Sequence, residues 1–285
     1  MVQLLQHVDG SRADFCCNVG TRESLPRPWS VNPRAVTIAP MRYLDLTLPG
    51  AAENLALEEA LLEEAESADS ATETLRLWEP ARPMVVLGRS SKIEDEVDLA
   101  ACGDLGIPVL RRVSGGAAVL TGPGCLMYAL VLSCRLRPGL RSVGQAHRFV
   151  LGAMAAALRP LAPGVGCRGI SDLALDQRKF SGNSLRLKRD HLLYHGTLLY
   201  DFPLELIGRC LKAPPRQPEY RNGRSHGEFV TNLPLPRTSI CRALITTWEA
   251  HELCPDWPWQ RTARLVTERY SRRGWNEEGR RCTDR

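Results

Sequence analysis

The stretch RRVSGGAAVLTGPGCLMYALVLS, residues 111–133, decides how the rest of the chain is arranged. Two arginines, a run of small residues and an apolar segment follow one another. This pattern predicts a strand over 107–113, a loop, and a second strand over 126–133.

Small residues let a ligand approach the backbone, so N–H groups of the loop can face a carboxylate or a phosphate. Arg111 and Arg112 are expected to place planar cationic groups at the edge of this ligand site. An ordinary tight hairpin is the alternative interpretation.

Further motifs lie on both sides of this stretch. RKFSGNS occupies residues 178–184, HGTLL occupies 195–199, and a weaker motif, NLALEE, occupies 54–59. Together with the double arginine and the Ser-Gly-Gly sequence, they resemble the lipoate–protein ligase A family, which belongs to the biotin/lipoate ligase fold group. The motifs occur in the order and at the separations typical of that family, and the resemblance covers residues 41–233.

Apolar periodicity predicts both helices and strands along the chain. The predicted helices cover 51–67, 95–104, 145–158, 238–253 and 259–270, with another capped by Asp201; the predicted strands cover 42–48, 75–78, 84–88, 107–113, 126–133, 172–176, 179–187 and 191–200. On the first helix, Glu58 and Glu59 are expected to lie outside the apolar stripe. Because no regular βαβ repeat is present, we expect an α+β fold with a mixed, largely antiparallel central sheet flanked by helices. The resemblance implies the same architecture, that of the biotin/lipoate ligases and the class II synthetases.

Composition and charge restrict the class of protein. The chain has 285 residues, 44% of them hydrophobic and 24% charged, which is typical of a soluble globular protein. The net charge of +5 is too small to indicate nucleic-acid binding. No segment approaches the ~20 apolar residues of a membrane span, so we expect no membrane partner. The ten cysteines contain no Cys-x-x-Cys pattern and are expected to be reduced thiols of a cytoplasmic protein.

Changes in pattern suggest the domain boundaries. Residues 1–40 lack a helical or strand period, which predicts a disordered extension, and the chain can start at Met1 or at Met41. Residues 41–235 carry all the motifs and form the expected catalytic domain. Residues 236–285 are expected to form a short helical appendage. The resemblance implies that long lipoate ligases carry a fuller accessory domain, so a separate accessory protein stays open as a partner.

Lys179 is the residue that we expect to be catalytic. When a carboxylic acid reacts with ATP, two anions are brought together, and the site must neutralise and align them. A compact ammonium group suits the crowded point between carboxylate and phosphate better than a planar guanidinium does. The resemblance implies that Lys179 contacts the acyl carbonyl and the α-phosphate and then holds the acyl-adenylate. A solvated surface lysine is the alternative.

The resemblance also implies the ligands and the residues that bind them. The expected ligands are ATP with Mg²⁺ and lipoate, although octanoate stays open as the acyl group. The binding residues are expected to be Arg112, Ser114, Gly115, Gly116, Ala117, Ala118, Val119, Leu120, Asp172, Lys179, Gly182, Asn183 and His195. Asp172 can also cap a turn, and His195 can also be a sheet-edge residue bonded to backbone. Ala117 stands where the family has a third glycine, so a positive φ at Ala117 would be strained.

Three activities remain open from the sequence. The first is an ATP-dependent ligase that makes lipoyl-AMP and transfers the lipoyl group to a lysine of lipoyl domains. The resemblance implies that these acceptors are the E2 subunits of 2-oxoacid dehydrogenases and the glycine cleavage H protein. The second is an octanoyl or lipoyl acyltransferase of the same fold that uses a thioester on Cys167 or Cys125. The third is a non-catalytic protein that binds lipoyl domains.

Overall fold

Strands and helices are interspersed along the described chain. The computed structural model describes residues 41–68 and 71–279, so the extension expected over 1–40 lies outside the described residues. The strands are β1 (Arg42–Asp45), β2 (Thr74–Trp78), β3 (Met84–Leu87), β4 (Val109–Arg111), β5 (Val119–Thr121), β6 (Cys125–Ser133), β7 (Val165–Arg168), β8 (Asp172–Leu175), β9 (Arg178–Leu187), β10 (His191–Leu199) and β11 (Glu252–Leu253). The α-helices are α1 (Ala51–Ser67), α2 (Ile93–Glu96), α3 (Leu99–Asp104), α4 (Val143–Leu158), α5 (Glu205–Cys210), α6 (His226–Phe229), α7 (Arg237–Thr247), α8 (Trp259–Leu265) and α9 (Arg273–Glu278). Within these two ranges, no helix is long and apolar enough to cross a membrane.

Two β-sheets organise these elements. The larger sheet has eight strands in the order β11-β1-β2-β6-β10-β9-β8-β7, and the smaller sheet has three in the order β4-β3-β5. β1 runs parallel to β2 and β11, and β3 runs parallel to β4. The other pairs of neighbouring strands are antiparallel. The prediction of an α+β fold with a mixed, largely antiparallel central sheet is therefore confirmed.

The stretch of small residues connects the two sheets. β4 and β5 both pair with β3, whereas β6 lies in the large sheet between β2 and β10. The strands on either side of the loop therefore do not pair with each other, and the tight-hairpin interpretation is wrong. Sequence patterns missed β5 because its three residues are too few to show an alternating period.

Helices cover both faces of the large sheet. Because successive side chains of a strand point to opposite faces, β6 contributes to two cores. Leu126, Leu130 and Leu132 pack in the core that α4 and α7 complete. Ala129 and Val131 pack against α1 on the opposite face. This arrangement buries all nine residues of β6.

α1 buries two carboxylates that we expected outside its apolar stripe. Glu58 and Glu59 are 2% and 4% exposed, respectively. Glu58 accepts hydrogen bonds from Trp78 and pairs with His195, and Glu59 accepts a hydrogen bond from Tyr270. The expectation is wrong because these partners come from distant parts of the chain, and hydrogen bonding permits the burial of a charged group.

Residues 236–279 pack into the same sheets and cores as the preceding chain. α7 places Ile240 and Leu244 in the core beneath α4, and β11 extends the large sheet beside β1. α9 lies against β4, where the indole N–H of Trp275 donates to the carbonyl of Arg111.

Arg111 fastens α9 to the small sheet. Its side chain is buried, and its guanidinium donates to the carbonyl oxygens of Gly88, Ser91, Trp275 and Glu277. The expectation that Arg111 lies at the edge of a ligand site is therefore wrong. Residues next to each other in extended chain point in opposite directions, and only Arg112 faces the small-residue loop.

Replacing Arg111 should destabilise the protein. The Arg111→Met variant removes four buried or partly buried hydrogen bonds from a charged donor, so we expect its free energy of unfolding to fall by about 3 kcal/mol. Urea unfolding followed by circular dichroism measures this change. Arg273→Met, which alters an exposed arginine at the start of α9, is the matched control and should be nearly neutral. Equal stability of the two variants would contradict the role of Arg111.

Candidate functional site

A cavity lies beside the small-residue loop and the first half of β9. Its volume is about 820 Å³. Ten of the predicted site residues line it, namely Arg112, Gly116, Ala117, Ala118, Val119, Asp172, Lys179, Gly182, Asn183 and His195. Leu120 lines a smaller pocket of about 120 Å³ that shares Ala118 and Lys179 with the cavity. Ser114 and Gly115 are not among the residues that line either space.

Lys179 is held at the cavity by an ion pair. Its Nζ lies 2.7 Å from Oδ1 of Asp172, on the neighbouring strand β8. The second carboxylate oxygen, Oδ2, accepts a hydrogen bond of 2.8 Å from the hydroxyl of Tyr220. Burial and the nearby Asp172 carboxylate raise the pKa of Tyr220, so this hydroxyl stays a donor. The ammonium group is therefore fixed from one side while the Lys179 side chain stays partly exposed.

Gly182 makes room for the Lys179 side chain. A Cβ atom on Gly182 would lie 2.9 Å from Nζ and 3.0 Å from Cε of Lys179. Such contacts are too short, so a larger residue would push the ammonium out of its present position. The glycine of the RKFSGNS motif thus has a steric role.

Asn183 holds the turn that carries Asp172. Its side-chain amide donates to the carbonyl of Ser171 over 2.8 Å, and its Oδ1 accepts a hydrogen bond of 2.5 Å from Tyr128. Its backbone N–H also donates to Ser171. Because Ser171 precedes Asp172 in the chain, these bonds place the carboxylate that pairs with Lys179.

The loop over residues 114–117 is anchored through its carbonyl oxygens. All four accept hydrogen bonds: Ser114 from the N–H of Arg89, Gly115 from Arg112 and Ser184, Gly116 from Ser91, and Ala117 from Arg112. Because the protein holds these carbonyls, the loop cannot easily turn over. This arrangement favours N–H groups as the part of the loop that meets a ligand in the cavity.

Gly116 adopts the positive φ angle of the loop. Its φ is +89°, whereas within residues 41–68 and 71–279 the only non-glycine residues with positive φ are Asp176, Asn222 and Glu249. Ala117 is therefore not in the left-handed region, and the strain considered for an alanine at this position does not arise. Alanine can stand there because the preceding glycine makes the turn.

The buried side chain of Arg112 holds the loop through hydrogen bonds. Its Nη2 donates to the carbonyls of Gly115 and Ala117, its Nη1 to Val86, and its Nε to the hydroxyl of Ser114. Burial lowers the pKa of Arg112 to about 10, which still leaves the guanidinium charged at neutral pH. Arg112 lines the cavity and shapes the loop at the same time.

His195 uses both ring nitrogens. Its Nε2 lies 2.5 Å from Oγ of Ser114, and its Nδ1 lies 2.5 Å from Oε2 of Glu58. The alternative of a sheet-edge histidine bonded to backbone is therefore wrong. Glu58 also lines the cavity, and sequence reasoning missed it, although the NLALEE motif contains it. Tyr220 was missed because nothing local marks it as a partner of Asp172.

The two candidate nucleophilic cysteines lie outside the cavity lining. Cys125 is fully buried at the start of β6, and this burial raises its pKa to about 12. Cys167 is exposed on the edge strand β7. Partial desolvation of its thiol raises the pKa of Cys167 above the ordinary value, and the nearby Arg159 offsets only part of this rise. A thiol is a poor nucleophile when it is protonated, so neither environment activates a thiolate. In the described ranges, no group of three or more His, Cys, Asp or Glu side chains could hold a metal ion.

Comparison with known proteins identifies the family. The family model of the lipoyl protein ligase A/B catalytic domain matches residues 50–239, which is more than half of the chain. The chain belongs to this family. It is therefore an enzyme of the lipoate–protein ligase family, as the motifs predicted.

Two curated relatives represent two activities within the family. Lipoate–protein ligase 1 of Staphylococcus aureus is 25% identical over 234 residues, with 78% of this chain and 69% of the relative covered. The octanoyltransferase LipM of Carboxydothermus hydrogenoformans is 30% identical over 189 residues, with 60% of this chain and 69% of the relative covered.

Solved structures share the fold. A bi-partite lipoate protein ligase from Thermoplasma acidophilum, described with its E2 lipoyl domain, has a TM-score of 0.72 at 24% identity, with 85% of this chain and 98% of that chain covered. A lipoate-protein ligase A bound with ATP has a TM-score of 0.70 at 23% identity, with 84% of this chain and 99% of that chain covered. At this level of identity the likeness establishes the fold alone.

Thiol labelling should separate the two candidate cysteines. We expect a maleimide or disulfide reagent to modify Cys167 quickly in the native protein, because this thiol is exposed. Cys125 should react only after unfolding, because it is buried and its pKa is raised to about 12. Peptide mapping by mass spectrometry identifies the labelled residue. Labelling of native Cys125 at the rate of Cys167 would contradict the described environment.

Proposed function

We propose that this protein is an ATP-dependent lipoate–protein ligase. In the proposed reaction, the carboxylate of lipoate attacks the α-phosphorus of ATP, pyrophosphate leaves, and lipoyl-AMP remains bound. A lysine of an acceptor protein then takes the lipoyl group, and AMP leaves. The observation that supports this proposal best is the Lys179 ammonium, fixed by Asp172 at the wall of a cavity beside the anchored loop.

The first step needs positive charge where two anions meet. The cationic residues that line the cavity are Arg112, Lys179, Arg216 and Arg221; Arg112 already donates to loop carbonyls, and Arg221 donates to the carbonyl of Arg224. We assign the contact with the carboxylate and the α-phosphate to Lys179, whose ammonium Asp172 holds beside the loop. Preorganised donors of this kind stabilise developing charge in the transition state.

The walls of the cavity also suit an acyl chain. Leu55, Val86, Val119 and Met127 contribute apolar surface to the part near the loop. Burial of an aliphatic chain against such residues is favourable by the hydrophobic effect. Both lipoyl and octanoyl chains satisfy this description, and we propose lipoate because the ligase motif around Lys179 is intact.

We propose that Mg²⁺ enters with the phosphates of ATP. Mg²⁺ commonly keeps several waters and binds through one or two carboxylates together with substrate phosphates. Asp172 is the carboxylate that lies next to Lys179 in the cavity wall. Its carboxylate oxygens are of the ligand type that Mg²⁺ prefers. The ion would offset phosphate charge, while Lys179 would act where the carboxylate meets the α-phosphate.

For the acceptor we propose lipoyl domains. The Thermoplasma ligase is described together with an E2 lipoyl domain, and its bi-partite nature motivates the proposal of a separate accessory protein here. We extend the proposed acceptors to the glycine cleavage H protein because it presents the same kind of lipoyl-lysine.

An acyltransferase is the second candidate. It is favoured by the LipM relatives and by the exposure of Cys167, which lies two residues before the cavity-lining Gly169. In that reaction, a Cys167 thiolate would displace the carrier thiol and hold the acyl group as a thioester. Intact-mass analysis after incubation with an octanoyl carrier protein detects such an adduct. Its absence, with retained transfer by Cys167→Ser, supports the ligase.

Replacing Lys179 should abolish most of the adenylation. In lipoate-dependent ATP–pyrophosphate exchange, we expect Lys179→Ala to lose at least about a hundredfold in rate, the scale for one preorganised charged group. Lys179→Arg should also be slow, because a planar guanidinium does not reproduce the compact geometry of the ammonium. Near-normal exchange by folded Lys179→Ala would contradict the assignment.

Two further variants sharpen this test. Lys188→Ala is the matched control, because Lys188 follows the far end of β9 and pairs with Glu63 away from the cavity. It should keep the wild-type rate. Gly182→Ala keeps the ammonium but displaces it, so we expect a large loss of rate with little loss of stability. Circular dichroism provides the folding control for all four proteins.

A further inference from the structure

One continuous chain of hydrogen bonds runs beneath the cavity from the loop to α1. Its links are Arg112 Nε to Ser114 Oγ at 3.1 Å, Ser114 Oγ to His195 Nε2 at 2.5 Å, His195 Nδ1 to Glu58 Oε2 at 2.5 Å, and Trp78 Nε1 to Glu58 Oε1 at 2.9 Å. All five side chains are buried. Unsatisfied polar groups are costly in such a place, so the direction of each bond is constrained.

The two ends of the chain determine the direction of its bonds. Arg112 and Trp78 can only donate, and an ionised Glu58 can only accept. Burial alone would raise the pKa of Glu58, but His195, Arg76 and Trp78 together lower it below its ordinary value. Nδ1 of His195 therefore carries a hydrogen that it donates to Glu58. In the neutral form of His195, Ser114 accepts from Arg112 and donates to Nε2, which satisfies every group.

We propose that Glu58 is a positioning residue for the small-residue loop. It acts through His195 and Ser114 on Arg112, which in turn holds the carbonyls of Gly115 and Ala117. The loop shape that an anionic ligand meets is then set by a carboxylate on α1. The kinetic part of this proposal rests on the proposed ligase function.

The hydrogen bonds link Ser114, His195 and Glu58 in the same order as in a nucleophilic triad. The geometry nevertheless indicates a positioning role rather than catalysis by Ser114. Ser114 is 1% exposed and is not among the residues lining the cavity, so a substrate cannot reach its hydroxyl. Its oxygen also accepts a hydrogen bond from Arg112. An activated serine requires an accessible oxygen beside the reacting carbon.

The kinetic test uses Glu58→Gln. A glutamine amide would place an N–H group against the N–H of either Trp78 or His195, so the chain loses one bond. We expect the KM for ATP in lipoate-dependent exchange to rise about tenfold, the scale of one unpaired buried group. The KM for lipoate should change less, because the acyl walls are untouched. A folded Glu58→Gln variant with the wild-type KM for ATP would overturn the proposal.

Glu59→Gln is the matched control. Glu59 is the next residue of α1, is equally buried, and bonds Arg269 and Tyr270 away from the cavity lining. We expect it to lower the melting temperature while the KM for ATP stays within about twofold of wild type, because neither Glu59 nor its partners Arg269 and Tyr270 line the cavity. A similar rise in this KM for both variants would assign the effect to stability and overturn the proposal.

A measurement without substrates separates this proposal from the ligase function. In the resting wild-type protein, ¹⁵N NMR of the histidine side chains reports which ring nitrogen of His195 carries the proton. We expect Nδ1, and we expect Ser114→Ala to shift the Nε2 resonance of His195 and the loop amides of Gly115 and Ala117. A proton on Nε2 alone would overturn the proposal even if exchange activity is normal. This test also serves if Glu58→Gln fails to fold.

Discussion

The guanidinium of Arg112 donates to the hydroxyl of Ser114 and to the carbonyls of Gly115 and Ala117, and the shape of the cavity depends on these bonds. Its neighbour Arg111 donates in the opposite direction, to the carbonyls of Trp275 and Glu277 in α9. Two adjacent arginines thus connect the candidate site, the small sheet and the C-terminal helices. Because both guanidinium groups are buried and their donors largely satisfied, the loop has a fixed frame before any ligand binds.

Lys179 complements this frame from the large sheet. Its ammonium is placed by Asp172, which Tyr220 holds in turn, while the carbon chain passes over Gly182. A paired ammonium group and an anchored loop therefore line the same space of about 820 Å³. Preorganisation of this kind is what an enzyme needs when it joins two anionic reactants, since charges already in place cost no reorganisation during reaction.

Sequence patterns predicted the helices and strands whose formation depends on residues close together in the chain. α1 has the predicted bounds because its apolar spacing is a property of seventeen consecutive residues. β9 and β10 differ from prediction by a single residue at one end, because alternating side chains and a short turn define a hairpin. Ten predicted site residues line the cavity because their motifs lie on the loop and on the neighbouring strands β8, β9 and β10.

Contacts between distant residues could not be predicted in this way. Glu58 and His195 are 137 positions apart, and Arg111 reaches carbonyls 164 to 166 positions away. A helical wheel places Glu58 on the polar side, and a double arginine suggests two ligand contacts. Only the tertiary structure shows that these charges are buried and paired. Placing Cys125 and Cys167 outside the cavity lining likewise required the packed sheet.

The most direct test of the central claim is to trap the activated acyl group. The full-length protein is incubated with lipoate and α-labelled ATP in the absence of any acceptor, quenched, and analysed by chromatography and intact mass. The account predicts labelled lipoyl-AMP, bound without a covalent link to the protein and dependent on lipoate. No lipoyl-AMP in this reaction, together with ATP-independent transfer of an acyl group to Cys167 from an added octanoyl carrier protein, would contradict it.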